Sequence, residues 1–161
     1  MKFFEYLLDH EKWGGSDGIL VLCLQHLGYT LVTVLIAGAI GFPIGLYVGY
    51  TRRGVTVVAG LANALRALPS LGILVLLVIL FGPLFSSDLA FEIPSLTVLV
   101  LLAVPPIMTT TYAGIASVDP HAVDAACGMG YRPLGIVFHV EIPCALPFIF
   151  SGLRNATLQV I

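Results

Sequence analysis

Three long stretches of this chain hold no Asp, Glu, Lys or Arg: residues 18–51, 67–87 and 93–118. Each reaches the roughly 20 residues that an α-helix needs to cross the hydrocarbon core of a bilayer. No water is available there to satisfy backbone groups, so a spanning segment is either a helix or a strand of a closed barrel. A barrel strand alternates apolar and polar residues, and these runs do not. The pattern predicts an all-α integral membrane protein. Composition agrees, with 58% hydrophobic and 10% charged residues, against about 25% charged in a soluble domain. A fourth apolar run begins at Ile142 and is interrupted by Arg154. The expected spans are about 28–50, 67–85, 94–117 and 142–161, in a single transmembrane domain.

Charge placement orients these spans. Arg52 and Arg53 follow the first one directly, and basic residues mark the cytoplasmic side. The loop 86–92 carries Asp88 and Glu92 without Lys or Arg, which suits the outer side. The N-terminus is then extracytoplasmic, and residues 119–141, with Arg132, are cytoplasmic. Residues 1–17 mix Lys2 and Lys12 with Glu5, Asp9, Glu11 and Asp17, so no positive leader precedes the apolar run. Phe3, Phe4, Tyr6, Leu7 and Leu8 beside those charges predict an interfacial segment on the membrane surface.

Several residues inside the spans are unusual. Gly38, Gly41, Gly45 and Gly49 share one face of the first helix, and Gly41 to Gly45 is a GxxxG pattern that favours close helix packing. Pro43 is expected to kink that helix. Arg66 stands in an apolar stretch, where a central position would cost at least about 2.5–3.5 kcal/mol, so it belongs near an interface, a partner or a wet cavity. Pro69 and Ser70 interrupt the second span, either as a plain kink or as an opening on a solute path. After Pro105 and Pro106 come Thr109, Thr110, Thr111 and Tyr112. Their hydroxyls can bond back to helix carbonyls or line a polar route, and both readings stand open.

The segment 119–139 is polar and helical in pattern between apolar runs. Asp119-Pro120 is a strong helix start, because Asp caps first-turn amides and Pro suits the first helical position. The helix is expected to run through Asp124, Ala125 and Ala126 to about Met129, with Gly130 ending it at positive φ. Pro133 is expected to open a second short helix through His139, with Arg132 a poor cap before it. Pro143 and Pro147 are expected to start and bend the next span. The result is a helix–turn–helix elbow along the cytoplasmic face.

The spacing of Asp124-Ala125-Ala126, Gly130, Val140 and Ile142-Pro143 resembles the coupling loop of permease subunits in ATP-binding-cassette importers. That family pattern is Glu-Ala-Ala, three residues, Gly, nine residues, Ile, one residue, Leu-Pro. Ala67-Leu68-Pro69-Ser70-Leu71, Pro105-Pro106-Ile107-Met108, Thr111-Tyr112-Ala113-Gly114-Ile115 and Val118-Asp119-Pro120 look like the osmoprotectant branch, as do Gly128-Met129-Gly130 and the residues from Glu141 to Pro147. The resemblance implies a type I importer permease fold with a cytoplasmic coupling elbow. It implies a quaternary-ammonium cargo of the glycine betaine, choline or carnitine type. It assigns ATPase coupling to Asp124, Ala125, Ala126, Gly130, Tyr131, Arg132 and Pro143. It leaves Pro69, Ser70 and the patch from Thr109 to Tyr112 as candidate pathway residues. The implied partners are a cytoplasmic ATPase subunit, a second permease copy or paralogue, an extracytoplasmic solute-binding protein and membrane lipid. ATP and Mg would bind on the ATPase and no cofactor on this chain, which lacks a phosphate-loop motif. Family members of this shape carry another hydrophobic helix after the span from Ile142, so the chain is expected to lack a final helix.

Other readings have thinner support. The same architecture serves methionine or another amino acid. A membrane scaffold or regulatory subunit would need no transport path. Intramembrane catalysis needs paired ionisable groups, whereas Arg66 and Arg154 stand without an acidic partner in their spans. Cys23, Cys127 and Cys144 form no CxxC, and His121, Cys127, His139 and Cys144 match no zinc spacing. No basic patch points to nucleic acid.

Overall fold

The computed structural model describes residues 13, 18–67, 70–85 and 89–161. The expected interfacial segment 1–17, apart from residue 13, lies outside the described residues, as does Pro69. Among the described residues every regular element is helical. The helices are α1 (Ile19–Thr51), α2 (Val55–Ala67), α3 (Ser70–Phe81), α4 (Leu89–Ala116), α5 (Pro120–Gly128), α6 (Pro133–Ile136) and α7 (Ile142–Val160).

The central element is α4, against which α1 and α7 both pack, touching each other far less. Small residues permit the approach on both sides. A Cβ on Gly45 would come 2.6 Å from the Met108 carbonyl oxygen, and one on Gly49 would come 2.7 Å from the Ile115 Cβ. Gly41 meets Val104 and Ile107 in the same way. Gly38, expected on this face, has no neighbour at that range. On the opposite side, Gly114 of α4 receives Phe148 and Ala145, and Gly152 of α7 receives Thr110. Lipid is as apolar as leucine, so van der Waals contact at such close range holds these helices together. Ala37, Ala103, Ile107, Ala156 and Val160 form the buried centre.

The chain leaves α1 through Arg52, whose φ of 55° closes the helix with a bond from its N–H to the Val48 carbonyl. The Arg52 guanidinium donates to the Ala116 carbonyl at 2.9 Å, tying the end of α1 to the end of α4. These two ends therefore sit at one level.

The second span departs from expectation. Instead of one helix over 67–85, α2 begins at Val55 and α3 at Ser70, and the pair is bent by 85°. With 12 residues, α3 is about 18 Å long, too short for a bilayer alone. Arg66 is exposed in the last turn of α2, not within a straight span. Val58 and Ala62 fasten α2 to Met108 and Val48, whereas α3 has no buried residue. Two helices also run longer than expected, α1 from Ile19 and α4 from Leu89.

Candidate coupling elbow

Residues 119–143 fold as the sequence directs at their start. Asp119 has extended backbone, and its carboxylate accepts from the His121 N–H at 2.9 Å. Pro120 follows at the first helical position. Capping of this kind contributes about 1 kcal/mol. α5 ends with Gly130 at φ 85°. Its N–H bonds to the Cys127 carbonyl, and the Tyr131 N–H reaches back to the Ala126 carbonyl. That pair of bonds is a Schellman closure, and it needs the left-handed residue that glycine supplies. Arg132 is extended with no side-chain cap, and Pro133 starts the next helix.

The second half of the elbow differs from expectation. Pro133 opens α6 as expected, but α6 ends at Ile136 and not near His139, and Pro143 lies in the first turn of α7. α6 passes through a π-turn, Val137–Glu141, straight into α7, giving one helix over Pro133–Val160. The Ile142 N–H bonds to the Val137 carbonyl five residues back. Pro143 has no N–H to give, and its place beside this change of register limits the cost of the missing bond. α6 and α7 are thus parts of one helix over Pro133–Val160.

The elbow has two faces. Ala126, Ile136 and Val137 are buried beneath it. Asp124, Ala125, Tyr131, Arg132 and Pro143 are exposed. Met129 and Leu134 are each 71% exposed and, with Gly130, Tyr131, Arg132 and Gly135, line an open concavity of about 570 Å³. Tyr131 and His139 stack at a tilt, ring centres 5.8 Å apart. Exposed apolar side chains grouped around a turn mark a contact surface for protein or membrane. Behind the elbow, one Glu141 carboxylate oxygen is buried without a hydrogen-bond partner. His121, Cys127, His139 and Cys144 are exposed, and no metal-binding group converges among the described residues.

The described candidate pathway residues are not gathered in one place. Ser70 faces Ser95, Val98, Leu99 and Leu102 across a cavity of about 240 Å³ between α3 and α4. The first of the threonines, Thr109, lies about 10 Å beyond Leu102 along α4. The Thr109 hydroxyl donates to the Pro105 carbonyl and that of Thr110 to the Pro106 carbonyl, each at 2.8 Å. Thr110 packs on Gly152. Thr111 is fully buried against Gly45, and its hydroxyl has no partner. Tyr112 packs on the cluster of Val48, Val58, Ala62 and Met108. In this single chain, Thr110, Thr111 and Tyr112 occupy helix–helix contacts.

A family model described as the binding-protein-dependent transport system inner membrane component matches residues 41–161. The chain belongs to this family. An osmoprotectant import permease protein of Salmonella typhimurium is 31% identical over the whole chain, which spans 72% of that relative. The choline transport system permease protein of Bacillus subtilis is 29% identical over 97% of the chain and 68% of its own length. A glycine betaine/carnitine/choline permease protein of the same organism is 30% identical over 85% of the chain and 60% of its own length. The chain is thus a multi-pass membrane permease component, with the matched region running from the glycine face of α1 through the elbow to the end of α7.

Sequence reading missed two features of this inner membrane component. The Arg52–Ala116 tie pairs a side chain with a carbonyl 64 residues away, and no periodicity announces it. The Tyr29 hydroxyl donates to Glu92 at 3.2 Å across α1 and α4. Glu92 as a carboxylate at the head of an apolar helix was the available signal.

Proposed function

We propose that this chain is the permease subunit of an ATP-driven importer for a quaternary-ammonium solute of the glycine betaine, choline or carnitine type. The observation that carries the reading is the elbow: a capped helix, a left-handed glycine turn and a continuous rod into the membrane, with its inner face buried and its outer face open. Such a part is built to receive a push. The ATPase is a separate cytoplasmic subunit whose cleft takes Met129, Tyr131, Arg132 and Leu134, with Asp124 and Ala125 on the flank. ATP and Mg act there. A second permease copy or paralogue completes the path, and an extracytoplasmic binding protein delivers the solute. The positive-inside bias of Arg52 and Arg53 supports an N-terminus on the outer side. The relatives' named cargoes favour a quaternary ammonium compound over methionine or another amino acid.

The test is uptake of radiolabelled choline and glycine betaine by cells expressing the complete transport system with wild-type chain or with Gly130→Trp. The bulky residue at φ 85° unfolds the turn. Uptake with the wild type and its loss with the variant, at equal membrane abundance, supports the reading. Unchanged uptake contradicts it, and no uptake by the wild type favours a scaffold role.

A further inference from the structure

Another cavity, of about 280 Å³, opens between α1 and α4 at the end of the bundle opposite the elbow. His26, Tyr29, Phe91, Glu92, Ser95 and Leu96 line it, and among the described residues no Lys or Arg does. Tyr29 lies about 35 Å from Arg52 along α1, and Glu92 lies a similar distance from Ala116 along α4. The hydrocarbon core is only about 30 Å thick, so the cavity sits at the far headgroup level. A carboxylate there keeps contact with water on one side and with apolar surface on the other.

The lining has a particular chemistry. Glu92 supplies a negative charge, positioned by the Tyr29 hydroxyl at 3.2 Å. Tyr29 and Phe91 supply aromatic rings, whose negative faces attract cations. Inorganic cations hold their water tightly and gain little from rings. An ammonium ion carrying methyl groups gains from the charge, the rings and Leu96 together. The volume lies at the small end for ligand pockets and suits a head group more than an extended molecule.

We propose that this cavity binds the head group of an organic ammonium ion. The chemistry is shared by a free solute such as choline and by the choline head group of a lipid. Tyrosines also serve simply as interfacial anchors, but an anchor needs neither the acid nor a cavity beside it. The inference rests on the cavity and not on the importer reading, and a binding measurement made without transport separates the two.

The test uses the chain assembled with its ATPase, without the binding protein, in nanodiscs of phosphatidylethanolamine and phosphatidylglycerol. Choline chloride is titrated by saturation-transfer NMR, with 3,3-dimethylbutanol as the neutral isostere. Choline is expected to bind at least about tenfold more tightly than the isostere. Glu92→Gln and Phe91→Leu should each weaken it by about tenfold, and Tyr29→Phe by less. Glu92 and Phe91 are exposed, so neither change disturbs packing, and equal melting temperatures check this. Repeating the titration in phosphatidylcholine nanodiscs identifies the source. Competition by the lipid points to its head group, and an unchanged affinity points to the free solute. Equal binding of choline and isostere, or choline binding unmoved by both Glu92→Gln and Phe91→Leu, overturns the proposal.

Discussion

Single residues set the closeness of this bundle. Gly45 meets the Met108 carbonyl where a Cβ would stand 2.6 Å away, while Gly38 and Gly60 face open space. Gly45→Val is expected to destabilise the chain by about 1–3 kcal/mol through overpacking, and Gly38→Ala to leave it nearly unchanged. Thermal unfolding in detergent compares the two. Gly130 is constrained differently, because nothing crowds it but its φ is 85°. Gly130→Ala should cost about 1–2 kcal/mol from backbone strain alone. Asp119→Ala should cost about 1 kcal/mol as the cap on His121 is lost, with Asp119→Asn close to wild type. The glycine face and the Asp119-Pro120 cap were legible in the sequence, because both act on local geometry. The fate of the threonines was not. Back-bonding fixed Thr109 and Thr110, but only the helix partners showed Thr110 seated on Gly152 and Thr111 on Gly45.

At the scale of elements, hydrophobic runs located the long helices and missed how two of them continue or break. The run 67–87 reads as one span, yet α2 takes its start at Val55 because Val58 and Ala62 find Met108 and Val48. Tertiary contact, not apolar length, decides that boundary. The π-turn at Val137–Glu141 was invisible for a related reason. Pro143 suggests a helix start, and only the Ile142-to-Val137 bond shows the register change that keeps the helix continuous. The hub role of α4 also escapes a reading by runs, since α1, α4 and the last helix are similarly apolar. α3 lacks buried residues, unlike α4. In detergent micelles, α3 amides should therefore exchange with deuterium well before those of α4, as hydrogen-exchange mass spectrometry would show. Equal protection in the two helices would contradict this order.

For the whole molecule, the bent pair α2 and α3 counts as one crossing when Arg52 and Arg53 lie on the cytoplasmic side. A cysteine placed at Thr56 should then label from the cytoplasm and one at Phe85 from outside, after Cys23, Cys127 and Cys144 are replaced by serine. Labelling of both from one side would make the pair a re-entrant loop and reverse the reading of α4. On the proposed reading, the outer face of the elbow docks the ATPase and the inner face does not. The most direct measurement places single cysteines at Ala125, Tyr131, Ala126 and Val137 in the assembled, cysteine-free transporter and scans for cross-links to the ATPase. Cross-links from Ala125 and Tyr131 that change in yield when ATP is added, with none from the buried Ala126 and Val137, are the predicted result. A complex that imports solute with no cross-link from Ala125 or Tyr131, or with the four positions equal, would contradict the account.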